Sequence, residues 1–259
     1  MSAAASTPQL VLGADGVAVV TLNRAQHLNR LHREDLQTLR AQFEQLAGDA
    51  SVRALVLTGR GRAFCAGFHL GELGQDGDAA RGDPKAFEHM VDALEALPLP
   101  TIARLNGSVY GGATDLALAC DFRIGVLGME LRMPAARLGL HYYASGLQRY
   151  VTRLGLGAAK RLFLLAEAVD SETLQRIGYL DECVAPEALD ASVRALTAAL
   201  AANAPLAVRG MKASLNEVAA GRADATVLAG REQICADSAD LQEGLRAFAA
   251  RRTPNFRGC

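Results

Sequence analysis

Residues 101–121 constrain the fold of this chain more than any other stretch: Thr-Ile-Ala-Arg-Leu-Asn-Gly-Ser-Val-Tyr-Gly-Gly-Ala-Thr-Asp-Leu-Ala-Leu-Ala-Cys-Asp. An apolar run over residues 101–105 predicts a strand. A glycine-loosened turn follows, and an apolar helix begins near Gly111 and Gly112. A helix start presents unpaired N–H groups and a partial positive charge. Glycine there lets a ligand approach the backbone closely. Asp115 lies three residues after Gly112 and returns to the same helix face one turn later. A bare N–H and a carboxylate then face one spot. That arrangement suits a reaction in which a carbonyl oxygen becomes negative while a proton moves nearby.

A second stretch has the same form. Residues 54–58 are an apolar run fit for a buried strand. Gly59-Arg60-Gly61-Arg62 turns the chain, and Ala63-Phe64-Cys65-Ala66-Gly67-Phe68-His69-Leu70 continues with small residues into a short helix. Two such elements side by side could supply two N–H donors to one oxygen.

The rest of the chain supports a strand–helix rhythm. Two apolar runs flank Gly13-Ala14-Asp15-Gly16, which predicts a β-hairpin. Leu36, Leu39, Phe43 and Leu46 recur at helical spacing over residues 33–46. Residues 71–84, rich in glycine and aspartate, predict a mobile loop, and Pro84 opens a helix that ends before Pro98. The rhythm runs to about residue 185 and predicts a parallel α/β arrangement. Beyond Pro186 the pattern is helical only. With 259 residues, 50% of them hydrophobic, and a net charge of −1, the chain carries no basic excess that would suggest nucleic acid. No apolar run approaches the roughly 18 residues of a membrane span. Five cysteines without a Cys-x-x-Cys pair, and no targeting pattern at the start, lead us to expect a reduced cytoplasmic protein. No spacing of His, Cys and Asp suggests a metal site.

The two turns also carry a resemblance. Ala63 through Leu70, together with Asn106-Gly107, Gly111 through Leu116 and Cys120-Asp121, resemble the two motifs of the crotonase superfamily, the enoyl-CoA hydratase/isomerase family. Leu22-Asn23-Arg24 resembles its early coenzyme A segment. Residues 134–149 resemble its mid-chain active-site stretch, and residues 248–256 resemble its C-terminal ending. The resemblance implies an α/β fold, a right-handed coil of ββα turns over residues 1–200. A helical region at 201–259 would assemble trimers or dimers of trimers. The implied partner is an acyl-CoA thioester, with no cofactor beyond the coenzyme A that the substrate carries.

It also implies roles. The backbone N–H groups of Phe68 and Gly112 match the family's oxyanion hole, with Ala66, Gly67, His69, Leu70 and Gly111 around them. Phe68 replaces a small residue and would reshape the acyl pocket, while its N–H survives the change. Asp115 matches one of the two catalytic glutamates of a hydratase, and Ala135 stands where the second would be. Tyr143 stands where a dienoyl-CoA isomerase has a further aspartate, so none of these acid sets is complete. His141, Tyr142 and Tyr143 could supply a proton, orient water, or simply wall the acyl pocket. Arg24, His27 and Leu28 align with the coenzyme A segment, and Lys212 and the C-terminal arginines could reach its phosphates or serve only as surface charge.

Overall fold

The computed structural model describes residues 6–72, 83 and 85–259. The predicted hairpin forms from β1 (Gln9–Leu12) and β2 (Val17–Leu22), paired antiparallel. Its turn closes with Gly13 N–H on Val17 O at 2.9 Å, and Gly16 takes a φ of 78° that glycine adopts without strain. β2 then pairs in parallel with β3 (Ala54–Gly59), β3 with β5 (Thr101–Leu105), β5 with β7 (Phe122–Val126), and β7 with β10 (Glu182–Val184). All six residues of β3 are buried. A parallel strand covered on both faces reads as a continuous apolar run, as this one does.

A second sheet runs β4 (Ala63–Cys65), β6 (Ser108–Tyr110), β8 (Glu130–Arg132) and β9 (Val169–Asp170). The chain steps repeatedly from the first sheet to the second: β3 to β4, β5 to β6, β7 to β8. A helix follows each step, respectively α2 (Ala86–Glu95), α3 (Ala113–Leu118) and α4 (Ala144–Lys160). The result is the expected coil of ββα turns. α1 (Arg33–Ala47) buries Leu36, Leu39, Phe43 and Leu46, each worth roughly 1.5–3 kcal/mol of transfer free energy. Four helices end the described chain after α5 (Ser171–Arg176): α6 (Leu189–Ala201), α7 (Pro205–Ala219), α8 (Ala225–Ala236) and α9 (Ala239–Ala249). No single helix among the described residues is long and apolar enough to cross a membrane.

Three local expectations change. The turn after β5 holds a strand, β6, because three residues between glycines can still pair with neighbours from two other coil turns. The apolar turn after Cys65 gives only a single 3-10 turn, Leu70–Glu72, and the expected loop beyond it lies mostly outside the described residues. The helix expected from Pro84 to residue 97 is shorter, Ala86–Glu95.

Asn29 ties the hairpin sheet to the first motif. Its Nδ2 donates to the carbonyls of Arg60, Ala63 and Phe64 at 2.8, 2.9 and 3.1 Å, and its Oδ1 accepts from Arg24 N–H at 3.0 Å. It is buried and takes a φ of 56°, which asparagine tolerates better than most residues. Asn29→Ala should therefore lower unfolding free energy by roughly 2–4 kcal/mol, since buried carbonyls lose their donor. Urea denaturation checks this, and a loss under 0.5 kcal/mol would remove Asn29 from this role.

Candidate active site

The two glycine turns abut. β4 pairs with β6, Cys65 opposite Val109, and each strand then runs into its turn. Gly67 has a φ of 85°, and a Cβ there would stand 2.7 Å from Tyr110 O and 3.1 Å from Gly112 N. Only glycine permits this approach. Leu31 N–H donates to Gly67 O at 2.8 Å and His69 N–H donates to Leu31 O at 2.9 Å, so Phe68 is held flanked on both sides. Among the described residues, neither Phe68 N–H nor Gly112 N–H donates to any protein group. Two free amides in touching turns are what an oxyanion needs.

The Phe87 ring on α2 lies over Gly112, its tip 2.6 Å from where a Cβ would be. It faces Phe68 at 6.1 Å and Tyr143 at 6.3 Å between ring centroids. These three half-buried aromatic rings enclose the turn. The sequence reading missed Phe87, whose only local signal is an aromatic residue near the start of a helix behind a glycine-rich segment.

Asp115 is fully buried. Its Oδ2 accepts from Arg149 Nη1 at 2.7 Å and from the Tyr143 hydroxyl, while its Oδ1 has no partner among the described residues. Arg149, also buried, extends this link to α2: Nε and Nη2 each meet Glu95 at 3.0 Å, and Nη2 meets Asp92 at 2.8 Å. Arg153 adds a second cation on Glu95 at 3.0 Å. Burial lifts the Asp115 pKa, and the Arg149 guanidinium and Tyr143 hydroxyl offset this only partly. Burial opposes the Arg149 charge too, but Asp115 and Glu95 outweigh it and raise its pKa. Burial, then Asp115, push the Tyr143 phenol far up, so it stays neutral. Gly146 makes room for the cluster, since a Cβ there would meet Tyr142, Tyr143 and Asp115 at 2.4–2.9 Å. Arg149 was legible only as part of a motif, because its partners lie 34 to 57 residues away.

The remaining expected residues divide. Leu28 O accepts from Ala66 N–H at 2.8 Å, so the early segment does border the first motif. Arg24 is engaged with Glu34 and Asp35, its Nε 2.8 Å from Asp35. Its charge is thus largely balanced. His27 and Leu70 are exposed, Gly111 N–H is bound to Arg132 O at 2.9 Å, and Ala135 is buried at the start of a 3-10 turn. His141 is exposed with Nδ1 2.8 Å from Tyr142 O, and among the described residues it makes no hydrogen bond to Asp115, Tyr143 or Arg149. Lys212 corrects its expectation: it is buried, 2.7 Å from Asp121 and 2.9 Å from Leu99 O, with no free reach to a phosphate. Cys65 cannot serve as a nucleophile, because burial pushes its thiol up to about 12.

His32, His69 and Glu72 bring ligand-type atoms within 4.8 Å of one another, a spacing a metal could use. His32 and Glu72 are already engaged with protein groups, whereas His69 Nδ1 has no hydrogen-bond partner among the described residues. Arg30 Nε donates to His32 Nε2 at 3.3 Å, and Glu72 accepts from His32 Nδ1 at 2.5 Å and from Arg33 N–H at 3.0 Å. The group acts as a latch between the first motif and the start of α1. A cavity of about 700 Å³ borders Arg149, Glu95 and Lys212, but neither Phe68 nor Gly112 lines it.

A coil of ββα turns with this pair of glycine motifs defines a crotonase-superfamily protein. The comparisons agree: a sequence model of the enoyl-CoA hydratase/isomerase family matches residues 13–259, and the chain belongs to that family. It is 31% identical over 245 residues to a crotonyl-CoA hydratase of Syntrophomonas wolfei, covering 93% of this chain and 94% of the other. The crystal structure of an enoyl-CoA hydratase from Bacillus anthracis superposes with a TM-score of 0.88 at 29% identity, over 98% of this chain and 100% of that one. DspI of Pseudomonas aeruginosa superposes at 0.87 with 34% identity, over 97% of each chain.

Removing Arg149 would strand a buried carboxylate. Arg149→Gln should cost roughly 3–5 kcal/mol. Asp115→Asn should recover part of that loss in the double variant, because the orphaned charge is gone. Chemical denaturation of the four proteins checks the cycle, and strict additivity would show that the pair is not coupled.

Proposed function

We propose that this chain is an acyl-CoA enzyme that stabilises a thioester enolate on the Phe68 and Gly112 N–H groups, with Asp115 as the proton-holding group. The observation that carries this reading is the pair of unused amides in touching turns, one helix turn from a buried carboxylate of raised pKa. A carboxylate whose pKa is lifted is a stronger base for a carbon acid. Family membership supports acyl-CoA as the substrate class.

Within the family, the reaction that fits best is a one-base proton shift, the movement of a double bond along an enoyl-CoA. Hydration needs water aimed at the β carbon as well as a proton for the α carbon. A second carboxylate would aim that water, and Ala135 supplies none. The oxyanion hole lowers the enolate by a few kcal/mol, on the order of 10²–10³ in rate per donor. It cannot activate water.

We further propose a trimer or dimer of trimers built through the C-terminal helices. α8 buries no residue, and Leu215 and Phe248 are 68% and 87% exposed. Apolar faces of this kind need a partner surface. Light scattering should give three or six copies, and a monomer well above assay concentration would contradict it.

The functional test compares 3-butenoyl-CoA isomerisation with crotonyl-CoA hydration. Isomerisation should dominate. Asp115→Ala should lose it by roughly 10²–10⁴-fold while thioester affinity holds, since the amides are untouched. Ala135→Glu should raise hydration. Fast crotonyl-CoA hydration by the wild type, undiminished in Asp115→Ala, would overturn the reading.

A further inference from the structure

We propose that Asp115 does not meet the substrate itself and that Tyr143 is the catalytic residue in contact with it, its hydroxyl relaying the proton between the substrate carbon and Asp115. This rests on the enolate reading above and goes past it in naming the group that touches the reacting carbon. Asp115 is fully buried, and neither carboxylate oxygen is open to the space beside Gly112: Oδ2 is taken by Arg149 and Tyr143, and Oδ1 is enclosed. Tyr143 is only half-buried. Its ring faces Phe87 at 6.3 Å between centroids, and Phe87 lies directly over Gly112, whose amide is one of the two proposed oxyanion donors. Tyr143 thus bonds the carboxylate through its hydroxyl and faces, through its ring, the aromatic enclosure around the donor turns.

Its orientation is fixed. Tyr142 stacks on it at 4.3 Å between centroids, and the Tyr142 hydroxyl donates to the Tyr143 oxygen at 3.2 Å. That donation leaves the Tyr143 hydrogen for Asp115. The charged and titratable groups around the relay are Arg149 from α4, Glu95 and Asp92 from α2, and Tyr142 beside it. Arg149 stays cationic throughout, so the carboxylate can hold or release a proton against a constant partner.

The α C–H bond of a β,γ-unsaturated thioester breaks, and its proton passes to the Tyr143 oxygen as the tyrosine proton passes to Asp115 Oδ2. The electron pair moves into the thioester, whose oxygen becomes negative between the Phe68 and Gly112 amides. Asp115 then returns its proton through Tyr143 to the γ carbon. The double bond comes to rest between the α and β carbons, and the carbonyl re-forms. The two proton movements must be concerted, because taking the substrate proton first would leave a protonated phenol, and giving up the tyrosine proton first would leave a buried tyrosinate that its surroundings disfavour.

Tyr143→Phe keeps the ring and removes only the relay. In 3-butenoyl-CoA isomerisation it should lower kcat by roughly 10²–10⁴-fold and leave KM within about threefold. A purely structural tyrosine would not impose a proton in flight, so the wild type gives a second reading. With a substrate deuterated at the α carbon, its rate should fall once for the C–D bond and again, multiplicatively, on transfer to D2O. Tyr143→Phe activity equal to wild type, or a C–H-cleaving step insensitive to D2O, would overturn the relay while leaving the enolate reading standing. No turnover or thioester binding by the wild type would remove both.

Discussion

Everything at the site depends on how closely two backbone turns approach. Gly67 and Gly112 sit at a distance that no side chain at position 67 would allow, and the pairing of β4 with β6 holds them there. The approach follows from the coil itself. Successive ββα turns stack in parallel, so the turn that follows each strand of the second sheet lies beside its counterpart one coil turn away. Preorganised amides need no rearrangement when charge develops, which is why a rigid pair of turns is worth more than two flexible donors.

The second constraint is electrostatic. Asp115 sits without solvent, and a lone buried carboxylate would be costly. Arg149 makes it tolerable and is itself balanced by Glu95 and Asp92. Three helices therefore meet through one guanidinium: α3 carries Asp115, α4 carries Arg149, and α2 carries the other acids. The same α2 brings Phe87 over Gly112. On the proposed function, acyl-pocket shape and base strength are set by one packed unit, and a change in α2 alters both together.

Much of this was legible in the chain. The hairpin around Gly13 and Gly16, the apolar stripe of α1 and the two glycine turns follow from local pattern, because turn chemistry and periodicity act over a few residues. Gly112 and Asp115 could be singled out for the same reason, a helix start and a carboxylate one turn on, whereas Phe68 came from the resemblance to the family's first motif. Arg149 and Phe87 could not be given their places, since what they do depends on partners tens of residues distant. Lys212 shows the converse failure: a lysine on a helix reads as surface charge, yet this one is drawn inward by Asp121 and a carbonyl. β6 was hidden because strand formation there is set by neighbours in the sheet rather than by its three residues.

The central claim is that the Phe68 and Gly112 amides receive a thioester oxygen. The most direct measurement is the carbonyl stretching frequency of an acyl-CoA, labelled with ¹³C at the thioester carbon, bound to the wild-type protein. Two converging N–H donors polarise the bond, so the band should move to lower frequency than in water. A bound thioester whose carbonyl band stays at its solution frequency would show that the oxygen lies elsewhere and would contradict the account.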